Sequence, residues 1–184
     1  MSTERPLRAD ARRNRARLLE VAQAVFETQG LGVTVDDVAR RAGVGVGTVY
    51  RHFPTKEALF EAIIASRVEQ LATTARELAD APDPGAAFFD FFTDMITSIV
   101  RNKALGEALS AAGRELTEIS RTSGQMVQEA QAILLKRAQL VGAVRADVTP
   151  AELKAVLVGI IAAARHLDEE PGRLAAIMLD GLRT

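Results

Sequence analysis

The sequence lacks cysteine and tryptophan, and it has few aromatic residues and histidines. Without cysteine the chain can form neither disulfides nor thiolate metal sites. Its two histidines, His52 and His166, are far apart in sequence, so a metal site is not expected. Aromatic residues make up only 4% of the 184 residues, whereas alanine and leucine, both strong helix formers, are abundant. No sustained alternation of apolar and polar residues indicates a strand, so we predict an all-α fold.

Long apolar runs are also missing. Charged residues interrupt every stretch that could cross a bilayer, and the first residues are polar and basic, unlike a secretory signal. We therefore expect a cytoplasmic protein with no membrane partner. The sequence has no paired-carboxylate helix motif, no Ser/His/Asp set and no metal cluster, so we expect no catalytic residues and no cofactor. An all-α enzyme remains an alternative that no motif supports.

The charge is unevenly distributed, although the net charge is only −1. Up to Lys56 there are ten basic and six acidic residues, a net charge of +4, and the remainder carries thirteen basic and eighteen acidic residues, a net charge of −5. A basic head on an acidic body favours contact between the head and a polyanion. A chance asymmetry of surface charge is the alternative.

Apolar periodicity and turn residues predict a succession of helices in three segments. We expect a flexible basic arm over residues 1–9, a helix-turn-helix segment over 10–56, and a larger helical body over 57–184. The first helix should run over 10–29 and end at Gly30, and Thr149-Pro150 with Glu152 should start a helix through a capping box.

The segment from Thr34 to Phe53 reads as two short helices joined by a glycine turn. Thr34 and Asp37 form a capping pattern, and the first of these helices repeats an apolar residue at Val35, Val38, Ala39 and Ala42. A helical wheel of residues 46–53, at about 100° per residue, puts Val46, Val49 and Phe53 on one side. It places Gly47, Thr48, Arg51 and His52 on the other side, with Tyr50 at the border. Such a pair lets one helix enter the major groove while the other braces it.

This segment resembles the DNA-binding head of the TetR (tetracycline repressor) family. The resemblance is carried by Ala42-Gly43-Val44, by residues 48–53 and by residues 56–60. It implies about nine helices, with a DNA-binding domain over 10–56 and a ligand-binding and dimerisation domain over 57–184. It also implies a dimeric, ligand-responsive repressor that binds double-stranded DNA at a palindromic operator. At matching positions, the expected phosphate contacts are Thr34, Tyr50, His52 and Lys56. The expected groove-facing residues at the start of the recognition helix are Gly45, Val46, Gly47 and Thr48.

Val46 departs from the pattern, because many relatives carry a polar or charged residue there. Base reading is therefore expected to rest on Thr48, Arg51 and apolar contact with thymine methyl groups. The arginines at positions 12, 13, 15 and 17 are further candidates for phosphate contacts, or simply a solvated face.

The acidic body is expected to bind an apolar or aromatic effector. The hypothesis is a cavity lined by Phe88, Phe92, Met95 and Met126, with polar tuning by Arg114, Glu115, Gln125 or His166. Ordinary core packing of the phenylalanines is the alternative. The last two helices are the expected homodimer interface, because the helix from Thr149 has a broad apolar face. A structural, nucleoid-type DNA binder without an effector is the remaining alternative function.

Overall fold

The computed structural model describes residues 4–111, 121–163 and 171–184, and these contain nine α-helices and no β-strand. The all-α prediction is confirmed. The helices are α1 Glu4–Gln29, α2 Val35–Ala42, α3 Val46–His52, α4 Lys56–Leu78, α5 Pro84–Arg101, α6 Lys103–Ala111, α7 Arg121–Leu140, α8 Pro150–Ala163 and α9 Pro171–Asp180. None of these helices is long and apolar enough to cross a membrane.

The predicted flexible arm over residues 1–9 is not borne out from Glu4 onwards, because α1 begins there. Pro6 does not prevent this, since it lies in the first turn, where backbone N–H groups have no helical partner. Glu4, Leu7 and Arg8 are good helix formers. The helix propensity of these residues therefore extends α1 to Glu4, ahead of the start near Asp10 that the sequence pattern indicates.

The chain forms two compact units. The first comprises the described residues of Met1–Arg67 and Ala104–Ile119, and the second those of Val68–Lys103 and Ser120–Thr184. The first unit thus extends past the boundary at residue 56 that the sequence suggested, and α4 continues from one unit into the other.

The core of the first unit lies between α1, α2, α3, the start of α4 and α6. Its centre is formed by side chains with almost no exposure, among them Ala22, Val38, Val49, Leu59 and Leu109. The rings of Phe26 and Phe60 meet edge to face with centroids 4.9 Å apart. This packing fixes α2 and α3 against α1 and α4.

The core of the second unit is built around α5, which packs against α7 and α9. Phe88, Phe91 and Phe92 are fully buried, and the rings of Phe88 and Phe92 lie 4.5 Å apart. Phe89 lies at the edge of the cluster, where the guanidinium of Arg183 covers its ring at 3.9 Å. Four phenylalanines within five positions cannot all lie on one side of a helix. Of the four, Phe89 is the one whose ring also contacts Arg183.

Candidate nucleic-acid interface

The predicted capping box positions the start of α2. The Thr34 hydroxyl donates to Asp37 Oδ2 at 2.6 Å and accepts from the Asp37 backbone N–H at 3.2 Å, and the Thr34 N–H donates to the same carboxylate at 3.1 Å. These hydrogen bonds, the one from the Thr34 side chain first, hold the pKa of Asp37 below its ordinary value. Thr34 is therefore engaged as a helix cap, and a phosphate bound at this hydroxyl has to compete with a carboxylate.

The turn between α2 and α3 depends on Gly43. Its φ of 68° lies in the left-handed region, which glycine adopts without the strain that a Cβ brings. The Gly43 N–H donates to the carbonyls of Ala39 and Arg40, which ends α2. The chain then reverses over two residues and enters α3 at Val46.

Helix α3 divides sharply into a buried and an exposed side. Val49 and Phe53 are buried, as the wheel predicts. Val46 was expected on the same side but is 37% exposed, because it is the first residue of the helix and no preceding turn covers it. The remaining positions are all exposed: Gly45, Gly47, Thr48, Tyr50, Arg51 and His52.

The polar side chains of this exposed side are not used by the fold. The side chains of Thr48, Tyr50 and Arg51 make no hydrogen bond or ion pair within the described residues, and the side chain of His52 has only a ring contact, with Phe53. By contrast Arg40, on α2, is paired with Asp37. The hydrogen-bonding groups of α3 are therefore available to an external partner such as phosphates and base edges.

Gly47 is not required by the fold. A Cβ added there meets nothing within 4 Å, and its φ is not positive, yet glycine inside a helix costs about 1 kcal/mol relative to alanine. A glycine at such a position allows another molecule to approach the helix backbone closely, because no side chain stands in the way.

Lys56 is placed differently from the other predicted phosphate contacts. Its ammonium group is half-buried and donates to the carbonyl of Leu31, in the loop between α1 and α2. It also lies 5.7 Å from the ring centroids of both Phe26 and Phe60. Lys56 thus ties the start of α4 to α1, a structural role that sequence reasoning missed.

The arginines of α1 lie partly beside the same surface. Arg13, Arg15 and Arg17 are exposed, and the Arg15 guanidinium lies 5.2 Å from the Phe53 ring centroid, at the C-terminal end of α3. Arg12 falls outside the described side chains. The contact with the buried Phe53 ring holds Arg15 near the exposed side of α3, where it can reach a phosphate.

The predicted effector-site residues are only partly brought together. Phe88, Phe92 and Met95 lie in the core of the second unit, and Met95 Sδ accepts a hydrogen bond from Gln131 Nε2 at 2.9 Å. Met126 is 37% exposed and lies outside this cluster. Arg114, Glu115 and His166 lie outside the described residues, and Gln125 is exposed. A depression of about 180 Å³ between α7 and α8 is lined by other residues, including Gln128, Gln131 and Lys154.

Sequence reasoning also missed Asn102, which ends α5. Its amide nitrogen donates to the Ser98 carbonyl at 2.8 Å, whereas its Oδ1 is buried and has no hydrogen-bond partner. Ser98 is itself a buried polar residue, only 4% exposed. Periodicity alone could not single out these two residues, because polar residues near a helix end are ordinary capping residues.

An exposed, unpartnered recognition helix braced by a capped helix defines a helix-turn-helix DNA-binding protein. Comparison with known protein families supports this class. The family profile "Bacterial regulatory proteins, tetR family" matches residues 18–63, and "Transcriptional regulator SbtR-like, C-terminal domain" matches residues 83–184. The chain belongs to the TetR family, and it is a DNA-binding transcriptional regulator.

Individual relatives support this assignment. The TetR transcription regulatory protein from Mycobacterium vanbaalenii is 45% identical, with 97% of this chain and 100% of that chain covered and a TM-score of 0.79. The TetR regulator SCO0520 from Streptomyces coelicolor is 32% identical over 91% of this chain and 97% of its own, with a TM-score of 0.68. An HTH-type transcriptional regulator of Staphylococcus aureus is 28% identical over 112 residues, and the match spans 60% of each chain.

Proposed function

We propose that this chain is a ligand-responsive repressor that binds a palindromic operator as a homodimer. The observation that carries the DNA-binding part is the exposed side of α3, where Thr48, Tyr50, Arg51 and His52 have no role in the fold. Gly47 leaves space for close approach, and Arg15 adds a positive charge at the far end of the helix. Tyr50, His52 and Arg15 are proposed to bind phosphates, and Thr48 and Arg51 to read base edges.

Helix α3 has only seven residues, so one copy of it can contact only a short stretch of DNA. A homodimer would present two such helices to the operator. Two copies related by a two-fold axis would place their recognition helices in major grooves about 34 Å apart, or a multiple of that distance. Half-site spacing then contributes specificity that few side chains could supply alone.

The expected interface over the last two helices is supported for α8 more than for α9. In α9, Ala175, Met178 and Leu179 are buried, and the helix packs against α5. Among the side chains of α9 that the structure describes, Ile177 is the large apolar residue that is exposed, at 61%. Helix α8 keeps an exposed apolar side, which is consistent with a second partner.

The effector is proposed to be a small apolar or aromatic molecule bound in the second unit. Support comes from the dense aromatic core of α5 and from Asn102 Oδ1, a buried acceptor without a partner. A buried polar atom of this kind costs free energy unless something donates to it, and an effector hydroxyl or amine could do so. Binding would shift the population of the dimer towards a state that fits the operator poorly, and differential affinity would set the size of that shift.

The experiment is footprinting and mobility shift on the DNA beside the protein's own coding sequence. We expect a footprint with two-fold symmetry. Arg51→Ala should weaken specific binding by about 1–3 kcal/mol if Arg51 contacts a guanine, and Tyr50→Phe should weaken it more uniformly across sequences. Arg76→Ala, which removes an exposed arginine of α4, is the matched control and should bind like the wild type.

Two outcomes would contradict the proposal. Unchanged affinity of both Arg51→Ala and Tyr50→Phe at fixed salt would show that α3 does not read DNA. An asymmetric coating of any sequence, with no preferred site, would instead indicate a nucleoid-type DNA binder.

A further inference from the structure

Two large apolar side chains are exposed in the described part of the first unit. They belong to Val46, which is 37% exposed, and Tyr50, which is 45% exposed, and both residues lie on α3. Because they are four positions apart, they lie on the same side of the helix, with Val46 about 6 Å closer to its N-terminal end. Among the described side chains of this unit, the exposed large apolar groups therefore occur on the helix assigned to DNA binding.

Val46 differs from Tyr50 because its side chain has no polar group. Tyr50 can direct its hydroxyl at a phosphate while its ring stays against apolar atoms. The isopropyl group of Val46 can only contact other apolar atoms or remain in water, and water is the less favourable surrounding. The inner side of α3 is already filled by Val49 and Phe53, which are buried. The apolar partner of Val46 therefore has to come from outside the fold.

Glycines flank Val46 on both sides, and the fold does not require either of them. Gly45 precedes α3 without a side-chain capping bond, and its φ is −66°. A Cβ added there would be in ordinary contact with Thr48, 3.8 Å from Oγ1, and one added at Gly47 would meet nothing within 4 Å. The two glycines leave Val46 as the one side chain that projects from residues 45–47. DNA can therefore approach this side chain closely without meeting a neighbouring one.

The chemistry of the major groove identifies the partner of such a side chain. The N-terminal residues of a recognition helix contact base edges. Those edges present hydrogen-bond donors and acceptors and one apolar group, the C5 methyl of thymine. Residues 45–47 carry no hydrogen-bonding side chain, so through their side chains they can recognise the methyl group alone. The deoxyribose carbons are also apolar, but they are the same at every base pair and carry no sequence information.

We propose that Val46 reads a thymine in each half of the operator through the C5 methyl group of the base. The inference rests on the proposed binding of α3 in the major groove, and it adds the base and the atom that the start of the helix recognises. Thr48 and Arg51 read hydrogen-bonding groups, so the two ends of α3 recognise different features of the same groove. Since 5-methylcytosine carries its methyl group at the same ring position, it should substitute for this thymine better than cytosine does.

The test is uracil interference with the full chain on the DNA beside the protein's own coding sequence. Thymines are replaced at random by deoxyuridine, and the bound and unbound duplexes are compared position by position. Deoxyuridine pairs with adenine as thymine does and lacks only the methyl group. We expect the duplexes bound by the wild type to be depleted of deoxyuridine at a thymine in each half-site. Each missing methyl should weaken binding about fourfold, the factor that corresponds to the burial of one such group.

Substitutions at Val46 assign the interference to this side chain. Val46→Ala removes both γ-methyl groups and should abolish the depletion at these thymines, whereas Val46→Ile keeps the branched side chain and should retain it. Arg51→Ala is the matched control on the same helix. It should weaken binding and leave the depletion at these thymines unchanged. On a synthetic operator, deoxyuridine should then cost the wild type about fourfold and Val46→Ala nothing, which is the coupling that a direct contact predicts.

The outcomes separate this contact from operator binding as a whole. If the wild type binds a specific site and deoxyuridine interferes at no position, or interferes equally with Val46→Ala, the thymine contact is wrong while the proposed operator binding stands. A uniform loss of affinity in Val46→Ala, with an unchanged interference pattern, would place Val46 against the backbone and also overturn the inference. A wild type without a specific site would overturn both proposals. Val46 is exposed, so Val46→Ala should keep the circular dichroism spectrum and Tm of the wild type.

Discussion

Replacing Lys56 with alanine should affect folding as well as DNA binding. Lys56 is the first residue of α4, where a positive charge is unfavourable to the helix dipole. The structure offsets this cost, since the ammonium group donates to the Leu31 carbonyl and lies over the rings of Phe26 and Phe60. The substitution removes all of these contacts together.

The magnitude follows from the contacts. A hydrogen bond from a charged donor contributes about 1.5–3 kcal/mol, and a cation–π contact at a partly exposed site about 0.5–1 kcal/mol. Relief of the dipole cost and rehydration of the Leu31 carbonyl offset part of this sum. We therefore expect Lys56→Ala to lower the free energy of unfolding by about 2 kcal/mol, which for a chain of this size lowers the Tm by about 4–8 °C.

Thermal unfolding followed by circular dichroism measures this effect, with two comparison variants. Lys56→Met keeps the aliphatic stem but loses the charge, so it should recover part of the loss. Lys154→Ala removes an exposed lysine of α8 and should change the Tm by less than about 2 °C, as expected for a surface site. A Tm of Lys56→Ala equal to that of the wild type would refute the structural role. If Lys56 also binds a phosphate, the slope of log affinity against log salt should fall by about 0.9 in both Lys56 variants.

Two further substitutions test the capping box and the second core. Thr34→Ala should lower the free energy of unfolding by about 1 kcal/mol at neutral pH. Because the folded-state pKa of Asp37 is lowered, the advantage of the wild type is fully present above the unfolded pKa, near the ordinary value of 3.8. It is lost as the pH falls through the lowered pKa, so the two melting curves should converge in acid, and a gap that widens there would contradict the assignment. Phe92→Ala should cost about 3–5 kcal/mol in denaturant unfolding, whereas Ile177→Ala at an exposed site should cost less than about 0.5 kcal/mol. Similar losses for both would show that Phe92 is not a packed core residue.

The local features of the DNA-binding unit could be predicted from sequence because their signals are local. Thr34 with Asp37, and Thr149 with Glu152, form the capping boxes that their three-residue spacing indicates. The buried positions of α2 and the inward Val49 follow from a 3.6-residue period. Each of these depends on residues within one or two helical turns, where spacing determines proximity.

Contacts between distant segments could not be predicted in the same way. Nothing in the sequence links Lys56 to Leu31, or Arg137 of α7 to the carbonyls of Leu78 and Ala81 that it binds at the end of α4. Such contacts depend on how the helices pack. In the sequence, a basic residue at either position is equally consistent with an ordinary exposed surface charge. Met126 resembles Phe92 in being large and apolar, but it is exposed and lies outside the core cluster that contains Phe92.

The same distinction limits what periodicity says about the proposed dimer interface. Periodicity shows which side of a helix is apolar, but it does not show whether that side meets the same chain or another copy. Ala175, Met178 and Leu179 of α9 are buried within the chain, where α9 packs against α5, whereas Ile177 of the same helix is exposed. Helix α7 carries Glu129 and Lys136 among its exposed apolar residues, which makes it look like an ordinary solvated helix in sequence. Only the burial of its other side shows that Met126, Ile133 and Leu140 form a separate surface.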